Sequence, residues 1–387
     1  MRIVAAREAT VPIGTAMRNA SIAFDAMTAS ALALVTDRRV DGKPVVGYAF
    51  DSIGRYGKGG LLRERFLPRL LAAAPETLLD ESGLIDPLRA WRTVMANEKD
   101  GGHGERPGAV GLIDAALWDA RAKAEGRPLW RVLADRFAAP GAAPQIAVYA
   151  TCGHYRPGES LGDLTAEVRR AVDAGFVTVK FKVSGASGDD DRRRVDAARA
   201  AGARVAVDLN GALDATAAEG WLVTIGAAGV EWIEEPVPPL DYAALAHCAA
   251  RTPAPLATGE NLFSLDDSRN LLRYGGLRPG RDRLQFDMLL AYGVPEYLRI
   301  LALFEAAGWP RASFWPHAGH LFAAQCVAGL GLGAAEAAPD SSLAYGGYWD
   351  GVQVRDGRLR MPELPGVGYE GKANLHALLR NTLETNP

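Results

Sequence analysis

The chain has 387 residues, and at roughly 100–200 residues per domain that length allows about two domains, or one large barrel with an attachment. Lys plus Arg number 43 against 46 Asp plus Glu, a formal net charge of -3, which argues against a general nucleic-acid binder because phosphate recognition needs a basic surplus. Cys152, Cys248 and Cys326 lie far apart without CxxC spacing, the N-terminal Met1-Arg2-Ile3-Val4-Ala5-Ala6-Arg7-Glu8 is charged too early for a signal-peptide core, and no apolar run reaches the roughly 18 residues of a membrane span, so a cytoplasmic protein without a disulfide framework is expected.

The first fifty residues read as strands. Residues 31–36 alternate weakly, Asp41-Gly42 marks a hairpin turn, and residues 45–50 follow as its second arm. Between residues 86 and 135 the pattern turns helical. Ala109, Leu112, Ile113, Ala116, Leu117 and Ala120 recur at spacings of three and four, giving one apolar face, and Gly126 and Pro128 then punctuate the chain. An N-terminal α+β unit over about residues 1–140 is expected.

Beyond Pro144 short apolar runs alternate with Ala-rich segments of helical length. The runs are 145–151, 177–183, 204–210, 229–235, 256–261, 283–289, 311–317 and 333–337. Eight β-type runs separated by helices predict parallel βα units closed into a TIM-type barrel, over residues 141–345. Asp356-Gly357 marks a second hairpin, in a C-terminal segment over 346–387.

An ionisable residue stands near the end of successive predicted strands: Lys180 and Lys182, Asp208, Glu234, Glu260, Asp287, His317 and Glu336. Lys182 to Asp208, Asp208 to Glu234 and Glu234 to Glu260 are each 26 residues, one βα unit. Side chains one unit apart converge on the barrel rim that carries catalysis. Asp208, Glu234 and Glu260 would repel one another, and an all-oxygen set suits Mg²⁺ or Mn²⁺ better than zinc. The competing reading pairs the three carboxylates with Arg or Lys; their even spacing favours the cation. Lys180 and Lys182 share one strand face, where mutual proximity can lower a lysine pKa. Asp287 behind His317 would fix the imidazole, although a lone His is as readily a satisfied core residue. His320 reads as structural, and Glu235 points away from Glu234 by strand alternation. A base, a cation site and an Asp-backed histidine together suit proton abstraction beside a carboxylate, followed by loss of a leaving group or reprotonation.

The Lys-x-Lys strand, Asp208-x-Asn210, Ile233-Glu-Glu-Pro236, Thr258-Gly-Glu-Asn261 and Asp287 with His317 resemble the enolase superfamily of mandelate racemase type. Met17-Arg-Asn-Ala20, Gly54-Arg-Tyr-Gly57, Asn97-Glu-Lys99, Gly101-Gly-His-Gly-Glu-Arg106 and Ala257 to Phe263 are similar to the D-tartrate dehydratase group within it. The resemblance implies a (β/α)7β barrel with an N-terminal α+β capping domain that the C-terminal segment completes. It implies Mg²⁺ on Asp208, Glu234 and Glu260, Lys182 as the base at C2, and His317 as the acid that assists departure of the C3 hydroxyl, giving the enol of oxaloacetate. Lys180 would hold the substrate carboxylate beside the metal, and Glu336 and Asn210 would contact substrate. Arg18, Asn19, Arg55 and Lys99 would serve the distal carboxylate of a small hydroxy-diacid. A homo-oligomer is implied as well, with no nucleic-acid or membrane partner. Phe314, Trp315 and the 151–155 stretch at the end of strand one could reshape the pocket.

Other enzyme readings are a dehydratase of another acid sugar, a racemase or epimerase using the same Lys/His pair, and a zinc amidohydrolase, whose His-x-His is absent from Val148-Tyr-Ala-Thr-Cys152. A silent sugar-acid binding protein is the reading from another class.

Overall fold

Three antiparallel strands open the chain in the order β1 (Ile3–Pro12), β2 (Thr28–Val40) and β3 (Lys43–Phe50). The computed structural model describes residues 1–99, 101, 105–339 and 344–384; Gly102, His103 and Gly104 of one quoted motif lie outside them. Asp41 (φ 49°) and Gly42 (φ 75°) turn β2 into β3, the two positive φ values that a tight hairpin of this twist requires.

The helix Glu105–Ala124 lies under this sheet and is buried nearly all round, so its apolar residues do not form a single stripe. Its polar residues act as fasteners. Asp119 accepts the Tyr48 N–H (2.8 Å) from the sheet and the Val367 N–H (2.7 Å) from the C-terminal segment. Asp114 accepts the Val294 N–H (2.7 Å) at the start of the helix Val294–Ala306.

Seven parallel strands then surround a second centre: β4 (Gln145–Cys152), β5 (Thr178–Lys182), β6 (Arg204–Asp208), β7 (Ile233–Glu234), β8 (Leu256–Thr258), β9 (Arg283–Leu284) and β10 (Ala334–Ala337). Neighbours pair in sequence order and β10 pairs back onto β4. The gap between β9 and β10 is closed by one parallel bridge, Leu284 to Phe314, and by the Gly333 N–H on the Phe314 carbonyl (2.9 Å). The seventh predicted run is therefore a short 3-10 turn (Arg311–Ser313) plus that bridge rather than a full strand. Pro316 has no N–H to extend a ladder. β7 begins four residues later than its predicted run and ends at Glu234, where Glu235 takes a positive φ (38°) and Pro236 follows.

β11 (Val354–Arg355) and β12 (Arg358–Arg360) form the second Asp-Gly hairpin, and β12 pairs antiparallel with β4. The helix Ala373–Asn381 ends on the first sheet, where the His376 and Tyr48 rings meet edge to face at 5.8 Å. No helix among the described residues is long and apolar enough to cross a membrane.

The barrel interior carries a layer of Tyr149, Ala206, Trp232, Ala257 and Ala334, with Trp315 against it. Large and small side chains alternate and fill the barrel as a plug. That plug is the floor on which the polar residues stand.

Candidate active site

Lys182, Asp208 and Glu234 are successive register partners across β5, β6 and β7, which turns the 26-residue spacing into contact. Glu260 follows two residues after β8. One oxygen from each of Asp208, Glu234 and Glu260 lies within 4.8 Å of the others, and all three residues are buried. Lys180 donates to Glu234 Oε1 (2.7 Å) and lies 3.1 Å from Glu336 Oε1; Lys182 donates to Asp208 Oδ2. From the floor, Trp232 Nε1 (3.2 Å) and Gln285 Nε2 (2.6 Å) donate to Glu234 Oε2, and the Tyr149 hydroxyl donates to Glu336 Oε2 (3.3 Å).

Across the mouth, His317 Nδ1 is 3.3 Å from Asp287 Oδ2, and its Nε2 is 3.2 Å from Glu260 Oε2. Asp287 also accepts from the Ser52 hydroxyl (2.7 Å), the Leu289 N–H (2.8 Å) and His320 Nε2 (3.1 Å). His320 Nδ1 accepts the Ala323 N–H, so this residue caps the helix Leu321–Leu330 while bracing Asp287.

Burial weakens every charge here, and the neighbours decide the outcome. Burial opposes the Lys182 ammonium, but the Asp208 carboxylate outweighs it and the pKa is raised. Lys180 is likewise raised, by Glu234 and Glu336 against burial. The expected lowering through lysine–lysine repulsion is outweighed by the carboxylates that each ammonium meets. Burial would lower His317, yet Glu260 and Asp287 raise it. Burial raises Glu234, and the Asp208 charge adds to it.

Asp208, Glu234, Glu235, Glu260, Asp287 and Glu336 are all buried around Lys180, Lys182, His317 and His320. Glu260 Oε2 makes no hydrogen bond of good geometry. The excess of negative charge, the all-oxygen donors and the orphaned oxygen fit a hard divalent cation. Glu235, expected to point away, instead accepts from Asn261 Nδ2 with both oxygens (3.1 and 2.9 Å), because its positive φ breaks strand alternation.

A cavity of about 480 Å³ opens above these groups, lined among others by Asn19, Arg55, Lys182, Asn210, Glu260, His317 and Glu336. Arg55 comes from the cap and donates to Asn261 Oδ1 (2.5 Å). Arg18 and Lys99 are exposed and are not part of the lining, and Lys180 is sealed beneath Lys182 and the carboxylates. Asn19 spends its side-chain oxygen on the N–H groups of Ser21 and Ile22 (both 2.8 Å). Trp315 belongs to the floor and Phe314 packs behind the barrel against Phe286, Tyr297 and Phe304, so neither shapes the cavity.

The family described as Enolase C-terminal domain-like matches residues 163–374, more than half of the chain. The chain belongs to that family. Among its relatives, a D-galactonate dehydratase of Variovorax paradoxus (strain S110) is 30% identical over 258 residues, 62% of this chain and 62% of that protein. An arabinonate dehydratase of Saccharolobus solfataricus is 24% identical over 307 residues, 76% of this chain and 78% of that protein. The chain thus spans less than two thirds of the galactonate dehydratase's own length. A solved racemase from Streptomyces coelicolor A3(2) with bound magnesium superposes with a TM-score of 0.76 at 22% identity, over 97% of this chain and 98% of that one. L-talarate/galactarate dehydratase from Salmonella typhimurium LT2 superposes with a TM-score of 0.74 at 22% identity, over 94% of this chain and 87% of that one. These superpositions show a shared fold, a capped TIM-type barrel.

Sequence reasoning gave no role to Ser52, Gln285 or Asn261 at this centre. Gln285 and Asn261 carried a signal, since Gln285 precedes Asp287 by two and Asn261 adjoins Glu260. Ser52 carried none, because a cap loop has no periodicity to read.

Proposed function

We propose that the chain is a Mg²⁺-dependent hydro-lyase acting on a hydroxylated diacid, with D-tartrate as the four-carbon substrate and longer aldarates as the other members of the class. The observation that carries this reading is that Lys182 and His317 line one cavity around the three-carboxylate cluster. The dehydratase names of the galactonate, arabinonate and talarate/galactarate relatives favour water loss. Arg55 favours a diacid over a monoacid, because a cation in the cavity wall is the partner that a second carboxylate needs.

Asp208, Glu234 and Glu260 would hold the cation. Magnesium supplies positive charge against the charge that develops on the substrate carboxylate as its α-proton leaves. Lys182, as the free amine, takes that proton; it is ready to do so once the Asp208 charge that raises it is engaged elsewhere. His317, protonated and steadied by Asp287, gives its proton to the departing β-hydroxyl, which leaves as water. The remaining enol rearranges to a 2-oxo acid, oxaloacetate from tartrate. Each proton is accounted for: one moves to Lys182 and one leaves His317 in the water.

A panel of the tartrate stereoisomers, galactarate, galactonate and arabinonate, assayed with Mg²⁺ for 2-oxo acid in deuterated water, tests the reading. Oxo acid from a diacid is the expected result. Deuterium at the α-carbon of recovered substrate with inversion and without water loss would turn it into a racemase, and turnover of monoacids alone would overturn the diacid assignment.

A further inference from the structure

One polar group in the cavity wall has no task in the proposed chemistry. His154 follows β4 and lines the cavity together with Lys182 and Glu336. Its ring stands edge-on to Phe24 of the cap, with centroids 5.9 Å apart and planes at 88°, so its orientation is set by an apolar contact. Among the described residues no side chain or backbone group hydrogen-bonds either ring nitrogen. Burial, then the nearby Lys182 and Lys180 ammonium groups, push its pKa down to about 3. The ring beside the base is therefore neutral. A neutral imidazole offers one N–H donor and one bare nitrogen acceptor. That pair matches a hydroxyl, which both donates and accepts. Its N–H can serve a hydroxyl or a carboxylate alike, but its bare nitrogen can be met only by a group that carries a proton, which a hydroxyl does and a carboxylate does not. Arg55 is the better partner for a carboxylate in the same cavity.

We infer that His154 is a specificity-determining residue that reads a hydroxyl the substrate retains through the reaction. This rests on the diacid dehydratase reading above and deepens it. The β-hydroxyl departs with the His317 proton, so the group left for His154 is the hydroxyl on the carbon that loses its proton, or one further along a longer chain. The prediction concerns discrimination between diacids with and without such a hydroxyl, not the rate of proton transfer.

Binding of D-, L- and meso-tartrate, galactarate and succinate to the magnesium-loaded protein, measured by calorimetry, tests it. Succinate keeps both carboxylates of tartrate and carries no hydroxyl. The unsubstituted protein is expected to bind its preferred polyhydroxylated diacid at least tenfold more tightly than succinate. His154→Phe keeps the ring on Phe24 and removes both polar atoms. It should cut the affinity for the hydroxylated acid about tenfold, about 1.4 kcal/mol, and leave succinate within twofold. His154→Gln restores a donor and an acceptor and should recover most of the difference. A His154→Phe protein whose preference for the hydroxylated acid is unchanged, or that loses succinate and the hydroxylated acid equally, overturns the inference while the diacid reading stands. If the unsubstituted protein binds no hydroxylated diacid better than succinate, that reading falls and this inference falls with it.

Discussion

Lys182 is the residue on which the proposed chemistry turns, and its contact with Asp208 makes a prediction about two separate quantities. Lys182→Ala removes the base and also removes a cation that competes for Asp208. Turnover is expected to fall by a factor on the order of 10²–10⁴, with magnesium affinity undiminished in a titration. Equal losses in both would mean that Lys182 only holds the cluster together. Asp114 gives a residue-scale prediction outside the site. Burial pushes its carboxyl well above the usual range, with the Val294 N–H pulling the other way. The folded state therefore holds a proton that the unfolded state gives up near pH 4, and stability falls as pH rises above about 4 towards the raised folded value. Asp114→Asn should flatten the urea-midpoint profile between pH 5 and 8 and match or exceed the unsubstituted protein at pH 8. Parallel profiles for the two proteins would assign the slope to another group. At this scale the sequence was readable where strand periodicity fixes direction. Lys180, Lys182, Asp208 and Glu234 sit where alternation and the 26-residue repeat put them. Arg18 and Lys99 were less readable, because the path of a cap loop, not a period, decides where such a side chain points.

The helix Glu105–Ala124 is the element that binds the cap sheet to the barrel, and its glycines measure how tightly. A Cβ on Gly111 would lie 2.2 Å from the Leu289 carbonyl oxygen, two residues beyond Asp287; one on Gly47 of β3 would lie 2.1 Å from the Ala116 carbonyl oxygen. Gly111→Ala must push the helix off the loop that presents Asp287. A loss of about 1–3 kcal/mol is expected, read by thermal unfolding, together with weaker support for His317. An unchanged melting temperature would show that the loop yields at no cost. The elements were legible in proportion to their hydrogen bonding. The two Asp-Gly hairpins and the first three barrel strands follow from local signals. The seventh strand did not, since one bridge at Phe314 carries what a ladder would otherwise do. The positive φ of Glu235 likewise hides from alternation and brings a fourth carboxylate toward the cluster.

Across the whole molecule the acidic cluster draws on β6, β7 and the turn after β8, so any ligand that joins them ties together parts far apart in the chain. A cation bound only by the folded state should stabilise it by about 2.7 kcal/mol at one hundred times its dissociation constant. Magnesium is expected to raise the melting temperature, chelator to reverse it, and Glu260→Gln to abolish the rise. A rise of the same size in that variant would locate the ion elsewhere. The floor of the barrel adds one more property. Trp232 gives its indole N–H to Glu234, its ring meets that of Trp315 edge to face, and the Arg283 guanidinium lies beside both, 4.7 and 4.6 Å from the two centroids. An excited indole is sensitive to the charge at its N–H, so the colour and brightness of Trp232 emission are tied to whatever Glu234 holds. A magnesium titration is therefore expected to change the tryptophan emission, and Trp232→Phe to remove that change while the remaining tryptophans still emit; an unaltered response in the variant would place the reporter elsewhere.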